Sequence, residues 1–266
     1  MSRPVAPPPP LKWAGGKRWQ IPHLIPVWEP HAGRRLVEPF CGGLAVALAL
    51  GPRRALLNDA NPHLINFYTH LQQGLRIDLP MRNDATLYYR HRARFNELLR
   101  SARGERASEA AALFYYLNRT GYNGLCRFNA SGGFNVPFGR YIRIPYQRDF
   151  EEWTEALRGW RFTCADFESI PLRADDFVYA DPPYDVPFTT YAKGGFDWED
   201  QVRAARWLAR HRGPVVLSNQ ATPRIVDLYR SLGFTLRELD APRRISCTGD
   251  RKPAREVLAT LHIEIG

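Results

Sequence analysis

The amino-acid sequence predicts an α/β fold in which helices cover both faces of a parallel sheet and a mainly helical domain is inserted. Two successive strand–loop–helix units open the sheet pattern, and strands alternate with helices again in the second half of the chain. The stretch between them has helical patterns and no alternating strands. We therefore expect a sheet domain from residues 11–75 and 155–266, an inserted domain from 76–154, and a proline-rich tail over 1–10.

The first two units each begin with a short apolar strand. In RRLVEPFCGGLAVALALG, a strand around Leu36–Val37 leads into a glycine-containing loop and an alanine-leucine helix that ends near Gly51. In RALLNDANPHLINFYTHLQ, a strand over Ala55–Leu57 leads into a helix that starts at about Pro62. Consecutive units of this kind place their strands side by side and parallel.

The inserted region is predicted to be helical and basic. We expect helices over residues 84–101 and 107–118, followed by a loop rich in glycine, asparagine and arginine. Residues 82–148 contain 12 arginines against 4 acidic residues, a net charge of +8. Tyrosine and phenylalanine are interleaved with these arginines, and this mixture is suited to holding phosphates and stacking bases.

The second half of the chain continues the sheet. Strands are expected within WRFTCADF, DFVYADPPY and PVVLSN, and helices over 198–212 and 222–231. The segments FTLREL (234–239) and EVLATLHIEI (256–265) are expected to pair as an antiparallel hairpin at the sheet edge.

Four acidic residues each follow one of the predicted strands: Glu38, Asp59, Asp166 and Asp181. The carboxyl ends of parallel strands lie at one edge of a sheet, and open α/β sheets bind their ligands there. A single acid at such a position is ordinarily a turn or helix-cap residue. Four of them in register predict a binding site.

The predicted strand around Phe177–Tyr179 runs into the tetrapeptide Asp181-Pro182-Pro183-Tyr184. Two successive prolines cannot continue a central strand. An ordinary strand-end turn would account for the aspartate and prolines alone. The alternative is that the chain stops here to present a carboxylate, a carbonyl without a competing N–H, and an aromatic ring at the ligand-binding edge.

Composition favours a polyanionic partner. The chain of 266 residues has 37 basic and 27 acidic side chains, a net charge of +10, although a solvated basic surface is the alternative explanation. Its four cysteines are far apart, without CxxC or paired-histidine spacing, so we expect neither zinc nor disulfides. No apolar run is long enough to span a membrane and no apolar leader occurs, so we expect a cytoplasmic protein.

The glycine loop EPFCGG fits neither of the common phosphate-binding patterns, GxGxxG and Walker A, and it contains no basic residue. The acids instead suit a ligand that carries hydroxyl groups and positive charge. S-adenosylmethionine has ribose hydroxyls, an ammonium and a sulfonium, and is therefore the expected cofactor.

Seven segments, in this order, resemble the motifs of the Dam-type DNA adenine-N6 methyltransferase family, the D12 class with the α order of motifs. They are LKWAGGK (11–17), VEPFCGGLAVAL (37–48), LNDANPHLINFY (57–68), YLNRTGYNGLCRFNASGGFNVPFGRY (116–141), DPPY, SNQATPRIVDLY (218–229) and RRISCTGDRKPAREVL (243–258). The matches span about residue 11 to residue 258 and are together highly specific. One departure is Cys41, which stands in the glycine loop at a position that is often small or apolar in relatives.

The resemblance implies a Rossmann-like, S-adenosylmethionine-dependent methyltransferase sheet with an inserted DNA-recognition domain. It assigns Asp59 to the ribose hydroxyls and places Asp166 and Phe167 beside the adenine ring of the cofactor. The implied cofactor-binding residues are Trp13, Lys17, Glu38, Phe40, Gly42, Asp59, Asp166, Phe167 and Asp181. The implied catalytic residues are Asp181, Pro182, Pro183 and Tyr184.

The resemblance also implies a target, the adenine of GATC in duplex DNA, modified after it is flipped out of the duplex. The implied DNA-recognition residues are Lys12, Asn123, Leu125, Arg127 and Tyr141. Arg127 is suited to bridging O6 and N7 of a guanine, although a phosphate contact is the alternative. Tyr141 matches an aromatic that wedges into the duplex. We expect a monomer that binds double-stranded DNA, without a metal and without a membrane.

Three other functions share some of these features. An RNA adenine methyltransferase would have the same fold and an Asp-Pro-Pro-aromatic motif. A DNA-binding protein on an inactive methyltransferase scaffold would keep the basic region, although DPPY and the cofactor motifs are intact here. Protein-glutamine methyltransferases tend to carry Asn at the first motif position, where this chain has Asp181. The biological setting is left open among restriction-modification, repair and phage methylation.

Overall fold

The computed structural model describes residues 6–185, 195–241 and 254–263. Its strands are β1 (Leu36–Glu38), β2 (Ala55–Asn58), β3 (Trp160–Thr163), β4 (Phe177–Ala180), β5 (Val215–Gln220), β6 (Thr235–Ala241) and β7 (Ala254–Leu261). Its α-helices are α1 (Ile21–Trp28), α2 (Ala45–Leu50), α3 (Pro62–Gln72), α4 (Ala85–Leu98), α5 (Ala102–Glu105), α6 (Ser108–Thr120), α7 (Glu151–Ala156), α8 (Trp198–Ala209) and α9 (Pro223–Ser231). Within these residues the seven strands form one sheet in the order β3-β2-β1-β4-β5-β7-β6.

The predicted parallel sheet is confirmed. β1 pairs in parallel with β2 and with β4, and β4 pairs in parallel with β5. β7 is antiparallel to both β5 and β6, so the predicted antiparallel hairpin is also confirmed, with β6 at the sheet edge. The chain is thus a Rossmann-like mixed α/β protein, as the sequence predicts.

Most predicted elements lie where the sequence indicates, with ends that differ from the predicted ends by one to three residues. The helix predicted over 84–101 is α4, which begins after Asp84, whose carboxylate accepts a hydrogen bond from the backbone N–H of Leu87 at 2.7 Å. The helix predicted over 198–212 is α8, which ends at Ala209, three residues before the predicted end.

Parts of two quoted segments lie outside the described residues. These are residues 242–253, which include Cys247 and most of RRISCTGDRKPAREVL, and residues 264 and 265 at the end of EVLATLHIEI. Residues 1–5 of the predicted tail and residues 186–194, which follow the DPPY motif, also lie outside the described residues.

The chain divides into two compact units. Unit 1 comprises Met1–Lys17, Gly42–Gly51 and Asn61–Cys164, and unit 2 comprises Arg18–Cys41, Pro52–Ala60 and Ala165–Gly266. Residues 76–154 all belong to unit 1, and their status as an independent inserted domain stays a prediction.

The core of unit 2 packs helices α8 and α9 against the sheet. Val178 and Val215 of the central strands are fully buried, as are Leu208 of α8 and Ile225 of α9. Asp197 begins α8 with a capping box, in which its side chain and that of Asp200 each accept a backbone N–H of the other residue. The packed core thus joins both helices to the central strands β4 and β5.

The core of unit 1 is aromatic and is formed by α3, α4 and α6. Phe67 stacks on Tyr115 with ring centroids 5.8 Å apart, and Phe95 lies 6.2 Å from Phe114. All four rings are buried. The same helices support the segment 121–141 that the sequence singles out for DNA recognition.

Candidate functional site

Three of the four predicted acids lie at the ends of neighbouring parallel strands in unit 2. Glu38 is the last residue of β1 and only 2% exposed, whereas Asp59 directly follows β2 and Asp181 directly follows β4. Asp59 and Asp181 are half-buried. Because β2, β1 and β4 are adjacent, these three carboxylates share one edge of the sheet.

Asn58, the last residue of β2, joins the loops around these acids. Its side-chain Nδ2 donates to the carbonyl oxygens of Pro39 and Ala165, both at 3.0 Å, and its Oδ1 accepts from the N–H of Ala165 at 3.1 Å. Its backbone carbonyl accepts from the N–H of Cys41 at 2.8 Å. One buried amide therefore fixes both the loop after β1 and the turn that leads to Asp166.

Cys41, the departure in the glycine loop, is buried and remains a neutral thiol. Burial raises its pKa well above the ordinary value, and the carboxylates of Asp59 and Glu38 raise the pKa further. A neutral, buried thiol behaves as a small apolar side chain. The substitution is therefore compatible with the family pattern at this position.

Phe40, Phe167 and Phe196 form an aromatic cluster beside the acids in unit 2. The ring centroid of Phe40 lies 5.3 Å from that of Phe167 and 5.5 Å from that of Phe196. Phe167 is buried, whereas Phe40 and Phe196 are half-buried. Partly open aromatic faces of this kind suit a flat heterocycle.

Asp166 is exposed and lies in an ion pair. Both carboxylate oxygens accept hydrogen bonds from Arg203, from Nη1 at 2.8 Å and from Nη2 at 2.9 Å, and these bonds lower the pKa of Asp166. The guanidinium of Arg203 also lies over the ring of Phe167, 4.2 Å from its centroid. Arg203, which the sequence does not single out, therefore holds the two predicted adenine-binding residues side by side.

In unit 1, Trp13 packs closely against the glycine loop. A Cβ added to Gly43 would lie 2.8 Å from Cβ of Trp13, and one added to Gly42 would lie 3.0 Å from its Nε1. Gly42 also has a positive φ of 44°, so two separate constraints favour glycine there. Lys17 is buried, and its Nζ donates to the carbonyl oxygen of Gly15 at 2.9 Å.

The hydroxyl of Tyr184, the last residue of DPPY, is held by a buried polar cluster of unit 2. It donates to Oε2 of Glu256 at 2.5 Å and lies 3.3 Å from Oγ of Ser218. Gln20 donates from one Nε2 to both of these groups, each at 2.9 Å. Burial raises the pKa of Tyr184, and the carboxylates of Asp181 and Glu256 raise it further, so the phenol stays protonated and donates.

The backbone of the DPPY loop is fixed as well. The carbonyl oxygen of Pro183 accepts from Nε2 of Gln201 at 2.6 Å, and Gln201 in turn accepts from Asn219 at 2.9 Å. The carboxylate of the next residue, Asp185, forms an ion pair with Arg224. The loop is therefore anchored on both sides of Tyr184.

Within unit 1, two predicted DNA-recognition residues meet. The Lys12 ammonium lies 4.0 Å from the ring centroid of Tyr141, and burial together with the charge of Arg119 lowers the pKa of Lys12. The hydroxyl of Tyr141 donates to the carbonyl oxygen of Gly121 at 3.0 Å. The main chain of Lys12 is fixed by Asn118, which accepts its N–H and donates to its carbonyl.

The other three predicted recognition residues lie on the surface of the segment that follows α6. Asn123, Leu125 and Arg127 are all exposed, with Leu125 at 38%. Asn123 has a positive φ of 52°, a conformation that asparagine tolerates better than most residues. Nε of Arg127 donates to Oδ1 of Asn135 at 2.8 Å. These side chains are accessible to a duplex.

Several residues that support the site are not predicted from the sequence. They are Gln20, Asn58, Gln201, Arg203, Ser218, Asn219 and Glu256. A usable signal existed in β5, where VVLSNQ ends an apolar strand with three polar residues. A fully buried polar side chain requires a hydrogen-bond partner, and such partners gather around functional sites.

Membrane-spanning helices and clusters of metal-ligating side chains are both absent from the described part of the chain. No helix among the described residues is long and apolar enough to cross a membrane. No group of three or more histidine, cysteine, aspartate or glutamate side chains that could hold a metal ion occurs in those residues.

Comparison with known proteins identifies close relatives along nearly the whole chain. Residues 13–245 match the family described as D12 class N6 adenine-specific DNA methyltransferase. The DNA adenine methylase of Vibrio cholerae N16961 is 38% identical over 94% of this chain and 94% of its own length. The retron Ec67 DNA adenine methylase of Escherichia coli is 37% identical over 94% of this chain and 90% of its own length.

The DNA adenine methylase of Escherichia coli K12 is 36% identical over 94% of this chain and 93% of its own length. Among solved structures, the methyltransferase domain of bacterial CtHen1-CN aligns with 92% of this chain and 98% of its own chain. The identity is 10% and the TM-score is 0.37.

Proposed function

Because the chain belongs to the D12 class N6 adenine-specific DNA methyltransferases, we propose that it methylates N6 of adenine in GATC within duplex DNA, with S-adenosylmethionine as cofactor. The observation that carries the proposal is the DPPY loop at the end of β4. There Asp181 follows a buried central strand, and the hydroxyl of Tyr184 and the carbonyl of Pro183 are both hydrogen-bonded.

The residues of unit 2 fit this cofactor chemically. S-adenosylmethionine supplies an electrophilic methyl group on a sulfonium. The half-buried carboxylate of Asp59 is suited to accept hydrogen bonds from two ribose hydroxyls, and the rings of Phe40 and Phe167 are suited to its adenine. Glu38 and Asp181 carry the negative charge that a cationic ligand requires.

The remaining proposed cofactor contacts are Trp13, Lys17, Gly42 and Asp166, which match the family motif positions. The carboxylate of Asp166 is already paired with Arg203, so we propose that this pair orients Phe167 and the adjacent backbone toward the adenine ring.

The proposed chemistry is positioning and electrostatics. The exocyclic amine of adenine is a poor nucleophile, because its lone pair is delocalised into the ring. The carboxylate of Asp181 and the carbonyl of Pro182 accept hydrogen bonds from the two N6 hydrogens, and the following Pro183 has no N–H to compete for these acceptors. Holding both hydrogens would favour a pyramidal nitrogen whose lone pair points at the methyl group, for direct in-line transfer without a covalent enzyme intermediate. The N–CH3 bond would form as the S–CH3 bond of the sulfonium breaks to leave a neutral thioether, and the surplus N6 proton would pass to solvent.

The target adenine reaches this loop by flipping out of the duplex, which costs a few kcal/mol. Stacking on the ring of Tyr184 returns ~1–3 kcal/mol. On the DNA side, we propose that Arg127 bridges O6 and N7 of a guanine and that Leu125 contacts a thymine methyl. Lys12 and Asn123 are proposed to contact the target sequence, and Tyr141 to fill the space that the flipped base leaves.

The experiment that tests this function is methylome sequencing. The protein is expressed in a methylase-free host, and the host DNA is sequenced by a single-molecule method that detects N6-methyladenine. We expect the mark at the adenine of GATC. N6-methyladenine in another motif would overturn the GATC assignment and leave the DPPY chemistry intact. Unmodified DNA together with methylated RNA would favour the RNA methyltransferase.

Tyr184 is expected to have two separable roles, stacking through its ring and anchoring through its hydroxyl. Tyr184→Ala should lower kcat/KM on duplex DNA by about 10–100-fold, because the stacking energy is lost, with less effect on single-stranded substrate. Tyr184→Phe should keep catalysis but lower the free energy of unfolding by ~1 kcal/mol, because Glu256 loses a hydrogen-bond donor. Kinetics on both substrates and thermal unfolding measure the two effects. If Tyr184→Phe is as inactive as Tyr184→Ala, stacking is the wrong explanation.

DNA binding is expected to be strongly salt dependent, because the arginines of residues 82–148 displace counterions from phosphates. Affinity for duplex DNA should fall by more than about tenfold between about 50 mM and about 200 mM salt, measured by fluorescence anisotropy. Arg143→Ala, at an exposed position of this region, should reduce the slope of log affinity against log salt by about one. Arg237→Ala, an exposed arginine on β6, is the matched control and should leave the slope unchanged.

A further inference from the structure

We propose that Asn135 is a positioning residue for sequence recognition, which orients the guanidinium of Arg127 so that its outer edge can read a guanine. The inference rests on the proposed function, in which Arg127 contacts a base. Asn135 lies within the quoted segment 116–141 but is not among the implied DNA-recognition residues, and the positioning role predicts a specific defect in base discrimination.

Arg127 and Asn135 face each other across a short hairpin in unit 1. Phe128 and Phe134 form an antiparallel bridge, and the backbone N–H of Asn135 donates to the carbonyl oxygen of Arg127 at 3.1 Å. Successive side chains in extended strands point to opposite faces. Phe134 is buried, so Arg127 and Asn135 lie on the opposite, outer face of the hairpin.

Asn135 contacts one edge of the guanidinium. Nε of Arg127 donates to the side-chain Oδ1 of Asn135 at 2.8 Å, and Nη2 donates to its backbone carbonyl at 3.3 Å. The guanidinium is a planar fork with a second edge, formed by Nη1 and the other N–H of Nη2. Among the described residues, that second edge has no hydrogen-bond partner. Two parallel N–H groups on one edge match O6 and N7 of guanine.

The partner of Arg127 is neutral, and this matters for DNA binding. Arg127 forms no ion pair with any residue in the described part of the chain. An amide oxygen holds the guanidinium in place without cancelling its charge, whereas a carboxylate would hold it and neutralise it. The geometry therefore provides orientation while the positive charge stays available to the duplex.

The hairpin that carries Arg127 is held by contacts with α3 and α4. Its backbone therefore provides a fixed support for the Arg127 side chain. Asn96 of α4 donates to the carbonyl of Phe134 at 3.1 Å and accepts its N–H at 2.8 Å. The ring of Phe128 stacks on His63 of α3, with centroids 4.6 Å apart.

A side chain that is already ordered loses less conformational entropy on binding. The resulting gain in binding free energy applies only to a base whose acceptors match the fixed geometry of the side chain. We therefore expect Asn135→Ala to lower discrimination at the one base pair that Arg127 reads by about three- to tenfold. Discrimination is the ratio of kcat/KM for methyl transfer to GATC and to each oligonucleotide duplex with one substituted base pair. Discrimination at the other base pairs should be unchanged.

Two further variants separate orientation from charge and from loop order. Asn135→Asp keeps an acceptor for Nε, so it should retain discrimination while it weakens binding to all duplexes by partly neutralising Arg127. Asn129→Ala disturbs the hairpin tip without contacting Arg127 and should leave discrimination at that base pair unchanged. If Asn129→Ala lowers discrimination at the same base pair as strongly as Asn135→Ala does, general order of the loop explains the effect and the proposal is wrong.

Arg127→Ala, alone and combined with Asn135→Ala, distinguishes the inference from the function on which it rests. If Asn135 acts through Arg127, adding Asn135→Ala to Arg127→Ala changes nothing further. If Arg127→Ala weakens binding to all duplexes equally, the proposed contact between Arg127 and a guanine is rejected. If Arg127→Ala lowers discrimination at one base pair but Asn135→Ala discriminates there as well as the wild type, only the positioning role is rejected.

Discussion

Asp181→Ala is expected to reduce kcat for methyl transfer by about 10²–10³-fold, while the protein remains folded and binds DNA. The carboxylate directly follows β4 and is half-buried, and its proposed task is to accept a hydrogen bond from adenine N6 as the methyl group is transferred. The β4 strand is held by its parallel neighbours on both sides, so loss of one side chain at its end should not unfold it.

The control for this variant lies at the other end of the same strand. Asp175 is exposed and precedes β4, and Asp175→Ala should leave kcat unchanged. Asp181→Asn keeps one acceptor oxygen and should be intermediate. The measurement is single-turnover transfer of a labelled methyl group to duplex DNA, with circular dichroism to verify folding. Turnover of Asp181→Ala within about threefold of wild type would falsify the proposed mechanism.

Asp59→Ala is expected to weaken S-adenosylmethionine binding by about 10–100-fold, because two charge-assisted hydrogen bonds to the ribose are lost. Asp59 directly follows β2, and the backbone beside it is fixed by the hydrogen bonds of Asn58. Calorimetric titration with the cofactor measures the effect. Affinity for duplex DNA should change little, because the removed charge is negative and lies outside the basic recognition segment.

A second variant tests the cofactor assignment independently. Trp13 packs against the glycine loop, and Trp13→Ala should also weaken cofactor binding while DNA affinity is kept. Asp175→Ala again controls for the loss of one acidic charge. If calorimetry gives unchanged cofactor affinity for both Asp59→Ala and Trp13→Ala, the assigned binding residues are wrong, whatever the activity on DNA.

The sheet could be predicted because its determinants are local. Apolar runs such as Phe177–Tyr179 and the helix that starts at Pro62 are visible as hydrophobic patterns and as helix-start signals, and both are confirmed, the strand as Phe177–Ala180. The ends of helices were less accurate. α8 stops at Ala209, three residues before the predicted end, because the end of a helix depends on one or two capping residues.

The support of the candidate site could not be predicted in the same way. Tyr184 and Glu256 are 72 positions apart, and Gln20 and Ser218 are 198 apart, so no local pattern indicates that their polar atoms meet. The motif positions identify which side chains face the ligands. The partners that hold those side chains depend on how distant strands are brought together, which only the folded chain shows.

The hydrogen bonds of Asn58 have a consequence for which insertions and deletions the chain can accept. The side-chain amide reaches Pro39 and Ala165, and the main-chain carbonyl of the same residue accepts from Cys41, so the lengths of two loops are fixed relative to one residue. One residue inserted between β1 and Cys41, or between β3 and Ala165, would move a hydrogen-bond partner of Asn58 out of reach and leave a buried polar group without its partner. Insertions and deletions should instead be tolerated at the exposed tip of the hairpin around Ser131 and Gly132, where the backbone faces solvent.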